Sequence, residues 1–501
     1  MKRIILALLF CVGMLAAEAV NGDTLRVQGF KVLKVWGNHS QRGYASGYLT
    51  GQSMMDLFNN YVMPTLYSNS SAIYGYARGF YGSNFSNDQV LKTEAGAVIR
   101  GAKAAGVNIN NSILNRDLDS LDILMINSVP DLSALGKNGP SSAPGCADLL
   151  SWGAATHCSV GAGTLVTRHL DWDNNIYLKR NHLIYVHYPA ENDEQVWAGF
   201  GFAGLMGALS GVNQANTVTF QNQGNNGQTP VGGSYYPINL AQRRGIELKD
   251  VDGDGVSTHK DVYSFIRSKS KSYSYIVTAV SERVDGVPYV LECRNNKVDS
   301  ARTKDNNGNN FSDNLIVTNH HRVLFAPVSC YRYANITDSL LKSTIMTLDR
   351  SWSILAGGAG HAGTLQTIQF IPSQAKLRLA FSIPNGLSSY MQEPKEILLA
   401  DLLAPVGITE ERNLPRQVIS AYPNPFNPST TIAFESSAGG TYKLAIYDIS
   451  GRIVESQNIA AGEGRQLFTW QAGGLTSGIY YAVVKDQQGK SVGVTRLVLL
   501  K

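Results

Sequence analysis

The chain has 501 residues, of which 44% are hydrophobic and 16% charged, with 49 Gly and 17 Pro. At about 150 residues per domain that length exceeds one compact unit, and the apolar share excludes wholesale disorder. A net charge of +5 without a Lys/Arg block argues against a nucleic-acid partner.

Lys2-Arg3 precede an apolar run from Ile4 to Ala17, and Ala17-Glu18-Ala19 places small residues at a cleavage position. Residues 1–19 therefore read as a secretory signal peptide. The run is short of the roughly 20 residues a bilayer requires, and no later stretch reaches spanning length. Of the five cysteines, Cys11 leaves with the signal; Cys146, Cys158, Cys293 and Cys330 remain. Four in so large a chain are no disulfide framework, and spacing leaves their pairing open.

Residues 20–400 read as one region. Helical periodicity marks 88–105 and 335–348. Alternating or β-branched runs predict strands at 146–154, 163–170, 183–188, 217–221, 286–293, 364–371 and 376–382. The mixture is an α+β pattern. The Asn/Gly-rich segments 222–234 and 304–314 read as loops. Pro405 and Pro415 mark 401–418 as a linker. Beyond it, strands at 429–435, 442–449, 452–457, 466–471, 479–485 and 491–499 alternate with turns at Asp448-Ile-Ser-Gly451 and Asp486-Gln-Gln-Gly489, the pattern of a small all-β sandwich. Within it Tyr422-Pro-Asn-Pro-Phe-Asn-Pro-Ser-Thr-Thr-Ile432, Tyr447-Asp-Ile-Ser-Gly451 and Ser477-Gly-Ile-Tyr480 resemble the C-terminal sorting domain of type IX secretion cargo. The resemblance covers 419–501. It implies the type IX machinery as a partner and a secreted or surface location.

Gly145-Cys-Ala-Asp-Leu-Leu-Ser-Trp-Gly-Ala-Ala-Thr156 and Leu165-Val-Thr-Arg168-His-Leu-Asp171-Trp172 predict a hairpin that turns in the Gly-rich 159–163 stretch. It returns Arg168 and Asp171 to the side of Cys146. A guanidinium beside a thiol favours the nucleophilic thiolate, and a carboxylate can orient the group that takes the proton. A buried strand cysteine can equally be inert core.

These two segments resemble the acyl-coenzyme A:6-aminopenicillanic-acid acyltransferase family, N-terminal-nucleophile hydrolases related to choloylglycine hydrolase and acid ceramidase. Arg42-Gly-Tyr-Ala-Ser-Gly47, the Asp117–Asp131 stretch, Gly211-Val-Asn213 with Asn222, Thr318-Asn319-His320 and Arg332-Tyr333 add to the likeness, which spans about 28–385. It implies a four-layer αββα fold and self-scission at Gly145–Cys146. The freed α-amine, with a pKa of about 7.7–8.0, would then serve as base for its own thiol. Cys146 would be the nucleophile, with Arg168 against it and Asp171 holding the amine. Asn222 and Asn319 would be oxyanion donors, and Arg332 would brace the network. His169 stands where the family has Asn, and the Asp-Gly turn of the family hairpin is missing; both bear on the surroundings of the nucleophile. The implied activity is hydrolysis of a non-peptide amide with an apolar acyl group, or acyl transfer. A surface-displayed binder that lost catalysis is the alternative. A papain-type peptidase would need a histidine motif, and none surrounds any of the nine histidines.

Asp250-Val-Asp252-Gly-Asp254-Gly255-Val256-Ser-Thr258-His-Lys-Asp261 fits a twelve-residue calcium loop. Asp250, Asp252, Asp254 and Asp261 fall at positions 1, 3, 5 and 12, the Val256 carbonyl at 7 and Thr258 at 9. Between predicted helices 237–248 and 259–268, a single Ca²⁺ site reads as a structural clip, with no cofactor needed for catalysis.

Overall fold

The computed structural model describes residues 18–133, 135, 145–225, 230–281, 287–304, 310–405, 419–436, 439–448, 452–462, 464–487 and 491–501. Most of the signal peptide, the linker from 406 to 418, parts of both Asn/Gly-rich loops and the centres of both sandwich turns lie outside the described residues. The chain divides into two compact units, Met1–Val406 and Gly407–Lys501.

In the first unit, the strands Gly22–Val27, Phe30–Gly37, His182–Pro189, Trp197–Phe202, Ser210–Asn213, Val218–Gln223, Tyr275–Val280, Val290–Cys293 and Asp299–Arg302 lie in that order in a nine-stranded sheet. Its neighbours are antiparallel except Phe30–Gly37 with His182–Pro189, which pair in parallel at Val32↔Ile184. A six-stranded antiparallel sheet has the order Asn314–Val317, Gly145–Ser151, Leu165–Asp171, Thr364–Ile371, Lys376–Phe381, Lys395–Leu398. The period-2 alternation of the strand Gly145–Ser151 decides what each face meets. Leu150 packs with Val166, Phe220, Ile276 and Ile368 from both sheets. Ala147 and Leu149 turn the other way, onto Tyr333, Ile336, Leu340 and Leu355. The latter belong to the helices Tyr331–Lys342 and Leu348–Ala359.

The far side of the nine-stranded sheet packs on the helices His39–Leu57 and Gln89–Ala104. These two helices touch backbone to backbone: a Cβ on Gly47 would lie 1.9 Å from Val98 O, and one on Gly101 1.9 Å from Tyr44 O. Asn38 caps the first helix in a reciprocal box with Gln41. The next residue, His39, enters a buried ionic network. Its Nδ1 lies 2.6 Å from Glu94 and its Nε2 2.9 Å from Glu194, while Arg42, Arg243, Arg244 and Glu247 complete the cluster.

Two expectations are corrected. The hairpin does not turn simply through 159–163: a helix, Gly153–Val160, is inserted and closed by Gly161 at φ +65°. The helix expected over 335–348 is two helices. The first ends at Lys342, and the Thr347 side chain caps the second by accepting from Arg350 N. Leu402, inside the expected 401–418 linker, is fully buried and falls within the unit Met1–Val406.

The second unit pairs a three-stranded sheet (Ser420–Tyr422, Ser429–Ser436, Gly464–Gln471) with a four-stranded one (Ile453–Ala461, Gly440–Asp448, Gly478–Lys485, Ser491–Leu499). Ile432, Phe434, Leu444, Ile446, Trp470, Val484 and Leu497 fill its core.

Candidate active site

Antiparallel pairing sets Cys146 opposite Leu170 and Gly145 opposite Asp171. Cys146 is fully buried. Two groups of side chains hold it, one on the sulfur and one on its main chain.

Arg168 serves the sulfur. Its Nη2 donates to Cys146 Sγ at 3.1 Å and to Gln221 O at 2.9 Å, while Sγ itself lies 3.1 Å from Gln221 O. Burial pushes the Cys146 thiol up to about 12, against the opposing charge of Arg168. The thiol therefore stays protonated at neutral pH.

The main chain is held by Asn319, Arg332 and Asp171. Cys146 N donates to Asn319 Oδ1 at 3.1 Å. Arg332 Nη1 donates to Cys146 O at 3.0 Å and to Asp171 Oδ2 at 2.8 Å; its Nη2 donates to Asn319 Oδ1. Asn319 Nδ2 is anchored on Gln223 O at 2.7 Å. Thr364 Oγ1 donates to Asp171 Oδ1 at 2.7 Å, and His361 lies 3.5 Å from its other oxygen. Asp171 is held below the ordinary carboxylate range; burial opposes this, and His361, His169 and Thr364 outweigh it.

Asn222 goes elsewhere. Its Nδ2 donates to Asp148 Oδ2 at 3.0 Å, alongside Thr278 Oγ1 at 2.6 Å. Alternation on the strand Val218–Gln223 presents the Gln221 carbonyl to the sulfur and sends the Asn222 side chain to Asp148. Asp148, which sequence reasoning missed, shares the inward face of Cys146 two residues along. Burial raises it to about 6, and its Oδ1 lies 3.9 Å from Arg168 Nε. His169 turns toward Tyr390, with ring centroids 6.1 Å apart, and burial lowers it to about 4.

All four described cysteines are free. Cys158 is exposed on the inserted helix. Cys330 precedes the helix Tyr331–Lys342. Burial would raise its thiol, but the neighbouring His320 and Thr318 and the Arg332 charge bring it down to about 7. This cysteine–histidine proximity left no motif in the sequence.

The loop 250–261 brings the carboxylates of Asp250, Asp252 and Asp254 within 4.8 Å of one another, all exposed. Gly253 and Gly255 take φ of +82° and +80°, the turn positions that glycine tolerates. Thr258 and Asp261 are engaged differently. Thr258 caps the helix His259–Ser268, and Asp261 accepts from the amides of Val251 (2.6 Å), Asp252 (3.4 Å) and Thr258 (2.7 Å). Val256 is exposed, and its amide donates to Asp254 at 2.9 Å.

Among solved structures, the chain is similar to the Caenorhabditis elegans N-acylethanolamine-hydrolyzing acid amidase ortholog at 14% identity and a TM-score of 0.33, over 50% of this chain and 100% of that one. It is also similar to PorZ, a surface component of the type IX secretion system of Porphyromonas gingivalis, at 14% identity and a TM-score of 0.14, over 68% of this chain and 36% of that one. No curated protein matches. Among the described residues no helix is long and apolar enough to cross a membrane. Residues 420–499 match the secretion system C-terminal sorting domain, which makes the chain a secreted or cell-surface protein.

Proposed function

We propose that the first unit is an amide hydrolase whose nucleophile, Cys146, becomes an N-terminus by scission at Gly145–Cys146. One observation carries the reading: side chains of catalytic type grip the main chain of residue 146, with Asn319 on its N and Arg332 on its O. A side-chain nucleophile alone requires no such grip, whereas an α-amine that must act as base does. Once freed, the amine would stay on Asn319 Oδ1 and draw the proton from Sγ at ordinary pH. Arg168 would stabilise the thiolate as it attacks an amide carbonyl. The amine would protonate the leaving nitrogen and then activate the water that releases the acyl group. Asn319, whose Nδ2 keeps a second proton, is the oxyanion donor adjoining residue 146; Asn222 contributes through Asp148.

The packing of helices on both outer faces of two apposed sheets supports an αββα architecture. Hydrolysis is preferred to acyl transfer because a secreted enzyme has no evident supply of activated acyl donor. The substrate class, an N-acyl amide with an apolar acyl group, follows from the family resemblance. In the acidic loop, Ca²⁺ would take Asp250, Asp252 and Asp254 and relieve their mutual repulsion, clipping the helix Ile238–Glu247 to His259–Ser268. His169, which stands where the resembled family has Asn, faces Tyr390 and leaves the contacts on Sγ to Arg168 and Gln221.

Intact mass of the secreted protein tests the proposal. Two fragments divided at 145/146, one chain in Cys146→Ala, and loss of N-acyl amide turnover in Cys146→Ser but not Cys330→Ser are expected. Full turnover from an uncut chain would overturn it.

A further inference from the structure

Arg168 is itself held by a directed hydrogen-bond chain that crosses between the sheets. Its Nη1 donates to Ser210 Oγ at 2.7 Å, and the Ser210 hydroxyl donates onward to Gln366 Oε1 at 3.0 Å. The Gln366 amide nitrogen donates to Phe200 O at 3.0 Å and pairs with His182 Nε2 at 2.7 Å. Arginine has no acceptor, so Ser210 must accept from it and has one proton to pass on. Gln366 must then present its oxygen to Ser210 and its nitrogen to His182. His182 consequently accepts at Nε2 and carries its proton on Nδ1. Burial lowers the imidazole to about 3, which keeps that neutral form at working pH. Its ring is fixed between Phe202 and Phe381, with centroids at 4.7 and 3.9 Å. Arg168, Ser210 and Gln366 are fully buried and His182 nearly so, so removing one partner leaves a buried polar group facing the others.

The geometry points to Ser210 and Gln366 as positioning residues that keep the Arg168 guanidinium on Cys146 Sγ and away from Asp148. This rests on Cys146 being the nucleophile. Asp148 is the competing acceptor: its Oδ1 lies 3.9 Å from Arg168 Nε and has no hydrogen bond. With Nη1 released from Ser210, the guanidinium can turn toward that carboxylate and leave the sulfur. The pull grows as Asp148 ionises, on raising the pH through about 6. The charged and titratable groups around that carboxylate are Arg168 and Cys146 from its own sheet and Arg302 from the facing one.

The test compares Ser210→Ala, Ser210→Thr and Gln366→Met in the full chain, measuring 145/146 scission and N-acyl amide turnover from pH 5 to 9. We expect kcat of Ser210→Ala to fall about tenfold at pH 8 and less at pH 5, with KM unchanged. Ser210→Thr should keep the parental profile, Gln366→Met should follow Ser210→Ala, and Asp148→Asn added to Ser210→Ala should restore most of the loss. A pH-independent loss that tracks a lowered Tm, or parental kinetics in both Ser210→Ala and Gln366→Met, would overturn the inference while leaving the nucleophile standing. A parent chain that neither cleaves nor turns over would remove the nucleophile reading itself, and this inference with it.

Discussion

Residue 146 meets one guanidinium per side: Arg168 on the sulfur, Arg332 on the main chain. Arg332 satisfies three acceptors with one planar fork, Cys146 O, Asp171 Oδ2 and Asn319 Oδ1. Lysine carries the charge but is a point donor that cannot span that geometry. In Arg332→Lys, scission and turnover should therefore fall by about a hundredfold while the far-ultraviolet spectrum stays unchanged. Rates within twofold of the parent would show that charge alone suffices. The residues that bear on this site were unequally legible in the sequence. Cys146, Arg168, Asp171, Asn319 and Arg332 stood out because their types and order resemble a family pattern, and the structure gathers them into one hydrogen-bonded network. Ser210, Gln366 and Asp148 carried no signal: they are common residue types, and their roles come from which residue of one sheet faces which residue of the other. Asn222 shows the same limit at a spacing of one residue, since its neighbour's carbonyl, not its own amide, meets the sulfur.

Elements with clean alternation were legible, as was the capped helix His259–Ser268 expected at 259–268, but the break inside 335–348 was not. The runs predicted at 183–188, 364–371 and 376–382 correspond to the strands His182–Pro189, Thr364–Ile371 and Lys376–Phe381. The break at 343–347 depends on the Thr347 hydroxyl, and hydrophobic periodicity does not register a cap. The acidic loop was legible as a spacing, yet the structure divides its residues between two tasks: Asp250, Asp252 and Asp254 converge, whereas Thr258 and Asp261 hold the start of the helix His259–Ser268. A cation there would stabilise the folded chain by binding it and not the unfolded one. Chelation should lower the Tm of the calcium-loaded protein by about 3–5 °C, and Asp252→Asn in excess calcium should match the chelated value. Turnover at 25 °C should persist, because the loop supplies no contact to Cys146. An unchanged Tm would deny the clip, and parallel loss of turnover would mean that the loop shapes the active site.

Across the first unit, buried titratable groups set a pH of greatest stability. His39 is raised to about 9: burial works against its charge, and the bonds to Glu194 and Glu94 prevail. A histidine raised in the folded state contributes stability that is complete below its unfolded pKa of about 6.5 and disappears as pH climbs through 9, about 3 kcal/mol in all. His169, His182 and His187 act in the opposite sense. Burial lowers them, the first two to about 4 and 3, so the unfolded chain takes up their protons first and stability falls below pH 6.5. Asp131 and Asp148, raised by burial to about 7 and 6, favour the folded state on acidification, but two carboxylates do not offset three histidines. The Cys330 thiol, lowered to about 7, adds stability as pH rises toward 9, so the alkaline limb is read in Cys330→Ser, whose calorimetric transition should lie highest near pH 6.5 and move down at both pH 5 and pH 9. Adding His39→Gln, which keeps a hydrogen-bonding side chain without the charge, should lower the starting Tm and remove the alkaline decline. A Tm of Cys330→Ser that rises from pH 6.5 to 9 would show that the Glu94–His39–Glu194 bridge does not carry a proton and that the surrounding arginines alone neutralise the cluster.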